Sequence, residues 1–199
     1  MSTQQVDVPQ GLSALIDHAQ EHEAGRKIPD GASVELWDPP FCGMIDMHIA
    51  ADGTWFYNGT PILRPALVRL FASVLRREDD GRFVLVTPVE KVGITVEDAP
   101  FLGVELLLAG EGEAQSLKVR TNVGDVVSID AAHPLRFEVA AENGGLKPYI
   151  LVRGRLEALL ARPLLYDLTE LFSERLVNGR VLTGVWSSGE FFGDCFPAE

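Results

Sequence analysis

The sequence predicts an α+β protein of two packed halves, each an antiparallel sheet with one main helix. Three observations predict this fold class. Short apolar runs separated by turn residues fill the chain from Ile45 onward. Residues 64–78 and 162–176 have a proline near their start and an apolar stripe at helical spacing. Finally, residues 64–85 match residues 162–183 at a shift of 98 positions, so a strand–helix–strand motif is repeated.

An N-terminal helix and a connecting arm precede the two halves. Residues 11–24 place Leu12, Leu15 and Ile16 on one face of an amphipathic helix. The residues that follow contain glycines and prolines that break any periodic pattern. The predicted organisation is therefore a helix and arm (1–40), an N-terminal half (41–96) and a C-terminal half (97–199).

Strand-like runs fill both halves. Asp52-Gly53 and Asn58-Gly59 are strong hairpin signals and predict a three-stranded meander over residues 45–63. Further strands are predicted at 82–87, 89–96, 101–109, 116–121, 126–130, 135–140 and 148–154, with one or two more in 181–196.

The repeat depends on identical residues in the two helical stretches and in the turns that end them. The matching pairs are Arg64/Arg162, Pro65/Pro163, Leu67/Leu165, Leu70/Leu168, Arg77/Arg175, Gly81/Gly179 and Arg82/Arg180. Both stretches are followed by Gly-Arg and a β-branched or aromatic run, which favours two related halves.

Bulk composition limits the classes of function. The 199 residues contain 17 Lys and Arg against 29 Asp and Glu, a net charge of −12. A negative field repels phosphate groups, so we expect no nucleic-acid and no membrane partner. The N-terminus has no visible export signal, and the two cysteines have no metal-ligand spacing. A cytoplasmic location is expected.

His18-Ala-Gln-Glu21-His22 fits the H-x-x-E-H pattern of inverted zinc peptidases. The two histidines lie one helical turn apart and could share a zinc ion. However, they lie off the apolar stripe, and no second helix supplies an obvious acidic ligand. A solvated helix face is therefore the favoured interpretation, and no metal is expected.

Glu97-Asp98 is a carboxylate pair between two apolar strands. Such a pair could perform acid–base chemistry or bind a divalent cation. The alternative is a turn in which Asp98 accepts backbone hydrogen bonds and Pro100 keeps Ala99 extended. The turn is favoured, since neighbouring strand residues point to opposite faces.

The segment 120–134, RTNVGDVVSIDAAHP, collects many polar side chains in fifteen residues. Asn122, Gly124 and Asp125 are ordinary hairpin-turn residues, and His133-Pro134 indicates a second turn. Ser128, His133 and Asp125 could be drawn as a catalytic triad, but no G-x-S-x-G elbow accompanies them. Small-ligand binding is a stronger candidate, because nearby arginines could hold an anionic group. These arginines are Arg120, Arg153 and Arg155.

Signatures of common cofactor-dependent chemistry are missing from the sequence. There is no phosphate loop, no dinucleotide-binding glycine motif, no kinase signature and no EF-hand loop. No cofactor is therefore expected.

Several of these segments, in this order and spacing, resemble bacterial domain-of-unknown-function family 1285, from about Trp37 to Phe192. They are KVGITVEDAPFLGVELLL, RTNVGDVV with HPLRF, PYILVRGRLEALLARPLLYDLTEL and VWSSGEFF. The resemblance implies a two-part α+β protein with a repeated motif, and a suspected role in signalling or regulation. It implies no catalytic residue.

Together these observations favour a non-catalytic ligand-binding or regulatory module whose site lies between the halves. It would bind a small anionic or polar ligand, and a protein partner in signalling is also expected. The predicted ligand-binding residues are Glu97, Asp98, Thr121, Asn122, Asp125, His133 and Arg153. One alternative is a metal-assisted hydrolase that uses Glu97, Asp98, Asp125 and His133. Another is a protein–protein adaptor that uses exposed hairpin edges and Trp37.

Overall fold

The computed structural model describes residues 34–141 and 144–194. The chain divides into two compact units: unit 1 runs to Ala50 and continues over Thr54–Glu97, and unit 2 contains Ala51–Gly53 and the residues from Asp98 onward. The predicted helix at 11–24, with its His18 and His22, lies outside the described residues.

Unit 1 is built on a six-stranded sheet and one helix. Its elements are β1 (Phe41–Ile49), β2 (Trp55–Tyr57), β3 (Thr60–Pro61), α1 (Pro65–Ser73), β4 (Leu75–Arg77), β5 (Phe83–Val86) and β6 (Lys91–Val96). The strand order is β3-β2-β1-β6-β5-β4, and β1 and β6 are parallel. One sheet face packs against helix α1, where the rings of Trp55 and Phe71 stack with centroids 6.2 Å apart.

Part of the predicted arm is packed into unit 1. Val34 is 1% exposed and lies in a small apolar cluster with Val84 and Val86, and Trp37 covers that cluster. Arg76 fastens the same segment through its guanidinium, which donates to the carbonyl oxygens of Val34 and Trp37 at 2.8 and 2.7 Å. Residues 34–37 therefore contribute to the core of this unit.

Unit 2 contains a six-stranded sheet, a three-stranded sheet and one helix. The elements are β7 (Phe101–Ala109), β8 (Ser116–Thr121), β9 (Val126–Ser128), β10 (Leu135–Val139), β11 (Leu146–Arg153), β12 (Leu156–Leu160), α2 (Arg162–Thr169), β13 (Ser173–Val177), β14 (Arg180–Ser187) and β15 (Glu190–Asp194). The strand orders are β10-β11-β12-β7-β8-β9 and β13-β14-β15. Ser187 joins the two sheets, because its buried hydroxyl accepts from the Leu117 amide and donates to the Ile129 carbonyl.

The prediction of an α+β protein with one main helix in each half is wrong, because the chain is mostly β. Strands take up 52% of the described residues and helices only 13%. The predicted helices 64–78 and 162–176 are 9 and 8 residues long, because each ends early and the chain turns into a strand. Among the residues described, no helix is long and apolar enough to cross a membrane.

Each helix ends early because the next residues find strand partners. Leu75 pairs with Leu85, and Leu176 pairs with Val181. The resulting hairpins follow α1 and α2 at the same positions of the repeat, but β4–β5 belongs to the large sheet of unit 1, and β13–β14 belongs to the separate three-stranded sheet.

Candidate functional site

The turn between β8 and β9 is held by its own side chains. The Thr121 amide donates to the Asp125 carbonyl at 2.8 Å, and the Asp125 amide donates to Thr121 Oγ1 at 3.1 Å. Asn122 Oδ1 accepts from the Leu102 amide at 3.1 Å, and Gly124 supplies the left-handed backbone with φ +100°. The predicted turn is confirmed: Thr121 Oγ1 holds it from within, and Asn122 Oδ1 connects it to β7.

A second turn presents His133. Asp130 Oδ1 accepts from the amides of Ala132 and His133 at 2.9 and 3.0 Å, which fixes the turn in the manner of an Asx motif. The Nδ1 atom of His133 lies 3.1 Å from the Leu151 carbonyl oxygen. A carbonyl can only accept, so Nδ1 carries the proton, and in the neutral ring Nε2 is left as an acceptor.

Arg153, at the end of β11, reaches the start of β9. Its Nη1 lies 3.0 Å from Asp125 Oδ2. Its guanidinium also sits over the ring of Phe101, 5.1 Å from the centroid, and Phe101 is fully buried. A carboxylate and a fixed aromatic ring together set the position of this cation.

These two turns and the end of β11 enclose a cleft of about 400 Å³ within unit 2. The residues that line it are Asp125, Val126, Val127, Ser128, Asp130, His133, Val152 and Arg153. Three of the seven predicted ligand-binding residues, Asp125, His133 and Arg153, meet there. Ser128 and Asp130 are additional polar residues of the cleft that the predicted set did not contain.

Four side-chain polar atoms of the cleft residues have no hydrogen-bond partner in the described part of the chain. They are Asp125 Oδ1, Ser128 Oγ, Asp130 Oδ2 and His133 Nε2. Each can accept a hydrogen bond. The cleft therefore offers acceptors beside the Arg153 cation.

Asp98 lies in a different polar cluster of unit 2. It accepts from Lys147 Nζ at 2.5 Å and from the Tyr149 hydroxyl at 2.7 Å. Burial raises the pKa of Asp98, but the hydrogen bonds from Lys147 and Tyr149 outweigh it, so the pKa lies below its ordinary value. Burial and the hydrogen bond to Asp98 raise the pKa of Tyr149. The Asp98 carboxylate is thus bound by Lys147 and Tyr149, and Asp98 does not line the cleft.

The remaining predicted groups have other positions. Glu97 is the last residue of unit 1, where its amide donates to the Ile49 carbonyl at 3.0 Å. Arg120 pairs with Glu105 across β7 and β8 at 2.5 Å, so its guanidinium is engaged outside the cleft. Arg155 is exposed in the turn after β11.

The cleft lacks the relay of a catalytic triad. A triad histidine donates from Nδ1 to a carboxylate, whereas here Nδ1 lies against the Leu151 carbonyl and Asp125 pairs with Arg153. In the described residues no group of three or more His, Cys, Asp or Glu side chains could hold a metal ion. The hydrolase hypothesis needs Glu97, Asp98, Asp125 and His133 around one site, and only Asp125 and His133 line the cleft.

Comparison with known proteins identifies the family. Residues 32–99 match the N-terminal domain, and residues 100–193 the C-terminal domain, of the domain of unknown function DUF1285. The chain belongs to the DUF1285 family. The resemblance found in the sequence is confirmed.

Two solved DUF1285 structures are similar to the chain. The protein from Silicibacter pomeroyi DSS-3 is 49% identical over 90% of this chain and 93% of its own, with a TM-score of 0.79. The protein from Shewanella baltica OS155 is 30% identical over 63% of this chain and 91% of its own, with a TM-score of 0.50. No curated protein matches the chain. The cleft residues all fall in the C-terminal DUF1285 domain.

The Asp98 cluster predicts how the stability of this DUF1285 protein changes in acid. A carboxyl group whose pKa is lowered by folding contributes stability above its unfolded pKa, about 3.9, and loses it as pH falls through the folded value. We expect the free energy of unfolding to fall below about pH 4. Asp98→Asn should flatten this slope, because the ionisation that drives it is removed.

Urea unfolding between pH 3 and pH 6, about the range in which carboxyl groups titrate, would measure the effect. Asp167→Asn, at an exposed position on α2, is the matched control and should retain the wild-type slope. If Asp98→Asn and wild type showed the same acid slope, the Asp98 pairs would not contribute to it.

Proposed function

We propose that unit 2 is a ligand-binding module and that its cleft binds a small polar molecule. One observation carries the proposal: Asp125, His133 and Arg153 come from separate segments and line one cleft of about 400 Å³. That volume lies within the range of small-molecule sites, about 300–1,000 Å³. Five of the eight lining residues are polar or charged, which suits a polar ligand, and all eight belong to unit 2.

Binding without catalysis fits the cleft better than a reaction does. The histidine has its Nδ1 proton directed at a backbone carbonyl, and Asp125 is held by an arginine, so no activated nucleophile is assembled. A domain that binds a molecule and leaves it unchanged can act as a regulatory sensor. This interpretation supports the signalling role that the family resemblance suggested, with a protein partner to receive the signal.

Charge limits the partners of the proposed module. The net charge of −12 argues against nucleic acid or an anionic membrane as the partner. A cytoplasmic location is part of the proposal.

A thermal-shift screen of the full-length chain tests the proposal. Small carboxylates, phosphates, sugars, amines and amino acids would be screened for a rise in melting temperature. A ligand at a hundredfold excess over its Kd stabilises a folded protein by about 2.7 kcal/mol, which is readily measured. Hits would then be mapped by backbone amide NMR, where shifts at residues 125–133 and 152–153 are expected.

Two arginine variants give the control. Arg153→Gln should abolish the stabilisation by a cleft ligand, whereas Arg162→Gln, at an exposed position on α2, should retain it. A panel without hits, or a hit that binds Arg153→Gln as well as wild type, would refute the proposed function.

A further inference from the structure

We propose that the cleft ligand is a small aliphatic zwitterion of the α-amino acid type. Its carboxylate would bind Arg153, its ammonium group would bind Asp130, and its side chain would lie against the cleft valines. This inference rests on the proposed function and specifies the chemistry of the same site.

Arg153 supplies the anion subsite. A guanidinium has five N–H donors in a planar fork that matches a carboxylate, so it can serve a ligand carboxylate in addition to Asp125. The guanidinium carbon lies 5.1 Å from the centroid of the buried Phe101 ring, and this cation–π contact restricts the position of the guanidinium group. The cation is therefore already positioned before a ligand arrives.

Asp130 supplies the cation subsite. Its Oδ1 atom is occupied by the amides of Ala132 and His133, which hold the carboxylate in place. Its Oδ2 atom, Ser128 Oγ and His133 Nε2 are acceptors without a partner in the described part of the chain. An ammonium group has three N–H donors and no acceptor, so it suits a group of acceptors of this kind.

Charge balance separates a zwitterion from a simple anion. Asp125 and Asp130 face one arginine, Arg153, and Arg153 is paired with Asp125, so the Asp130 carboxylate has no cationic partner in the cleft. A purely anionic ligand would add a second uncompensated negative charge beside Asp130. A zwitterion adds no net charge and brings the missing cation.

The exposed valine of the cleft indicates the side chain. Val126 is 47% exposed, whereas Val127 and Val152 are buried. An aliphatic side chain laid on Val126 would remove apolar area from water on both partners. A small branched chain therefore suits this position.

Isothermal titration of the full-length chain with three matched probes tests the inference. The probes are L-leucine, 4-methylpentanoate, which lacks the ammonium group, and 3-methylbutylamine, which lacks the carboxylate. We expect leucine to bind at least about tenfold more tightly than either, since each of the other probes lacks one of the two charge-assisted contacts.

Asp130→Asn isolates the cation subsite, because asparagine retains the Oδ1 acceptor for the two backbone amides and loses only the charge. We expect it to bind leucine and 4-methylpentanoate equally, and circular dichroism should show an unchanged fold. Asp167→Asn, an exposed carboxylate on α2, should retain the full preference for leucine.

Three results would overturn the zwitterion. They are equal binding of 4-methylpentanoate and leucine by wild type, an unchanged leucine preference in Asp130→Asn, and no binding of leucine. In each case the proposed function would still hold if the thermal-shift screen found a different kind of molecule that binds the cleft. A screen without any cleft ligand would remove both proposals together.

Discussion

Replacing Arg76 by alanine is expected to destabilise unit 1 by about 3 kcal/mol, the lower end of the usual cost of breaking a buried ion pair. The side chain is 9% exposed, and its Nε and Nη2 donate to Glu78 Oε1 at 2.9 and 2.6 Å. Its Nη1 donates to the carbonyl oxygens of Val34 and Trp37. Alanine would leave both carbonyl oxygens without their donor, whereas Glu78 would keep its ion pair with Lys91 at 3.6 Å.

Urea unfolding with fluorescence detection would measure the loss, and amide hydrogen exchange in β4 and β5 would assign it to unit 1. Arg77→Ala is the matched control at the next position. Arg77 is half-buried and lies over the Phe83 ring at 5.3 Å, an arrangement worth about 0.5–1 kcal/mol. If the two variants were equally stable, the Arg76 network would not hold the 34–37 segment.

Much of the strand content could be predicted from the sequence, because strands leave a short-range signal. The predicted bounds of β7 and β8 are those of the structure, since each is an uninterrupted apolar or alternating run between turn residues. β4 and β13 could not be predicted in this way. Val74 and Leu75 continue the helical stripe of α1, but both are buried after the helix has ended, Leu75 in β4. Periodicity alone therefore does not distinguish helix from strand at these positions.

The site was harder to predict, because its geometry depends on contacts between distant residues. The polar loops indicated Asp125, His133 and Arg153, and the fold of unit 2 brings Arg153 to Asp125 across 28 positions of the chain. The partners of Asp98 lie 49 and 51 positions away on β11, and no local pattern signals them. Asp130 could have been found from its spacing to His133, since an Asx turn fixes both side chains at one loop.

The second large effect concerns the three-stranded sheet of unit 2. Gly184 of β14 pairs directly with Gly193 of β15. A Cβ atom at Gly184 would lie 2.1 Å from the Phe192 carbonyl oxygen and 2.4 Å from the Gly193 Cα. Both are backbone atoms, so no side-chain rotation can relieve the collision, and the two strands would have to separate.

Gly184→Ala should therefore cost about 3 kcal/mol, at the upper end of the usual range for overpacking. Separation of the strands would also pull the buried side chains of Val185 and Phe192 out of the core, so the loss of stability would not be confined to the glycine pair.

Thr183→Ala is the control, at the neighbouring half-buried position. It should cost about 1 kcal/mol or less, the span of strand propensities. Urea unfolding gives both values, and hydrogen exchange at Val185 would show whether the β14–β15 ladder has opened. A Gly184→Ala protein as stable as Thr183→Ala would mean that the two backbones can move apart at little cost, and the glycine pair would not be needed for their close approach.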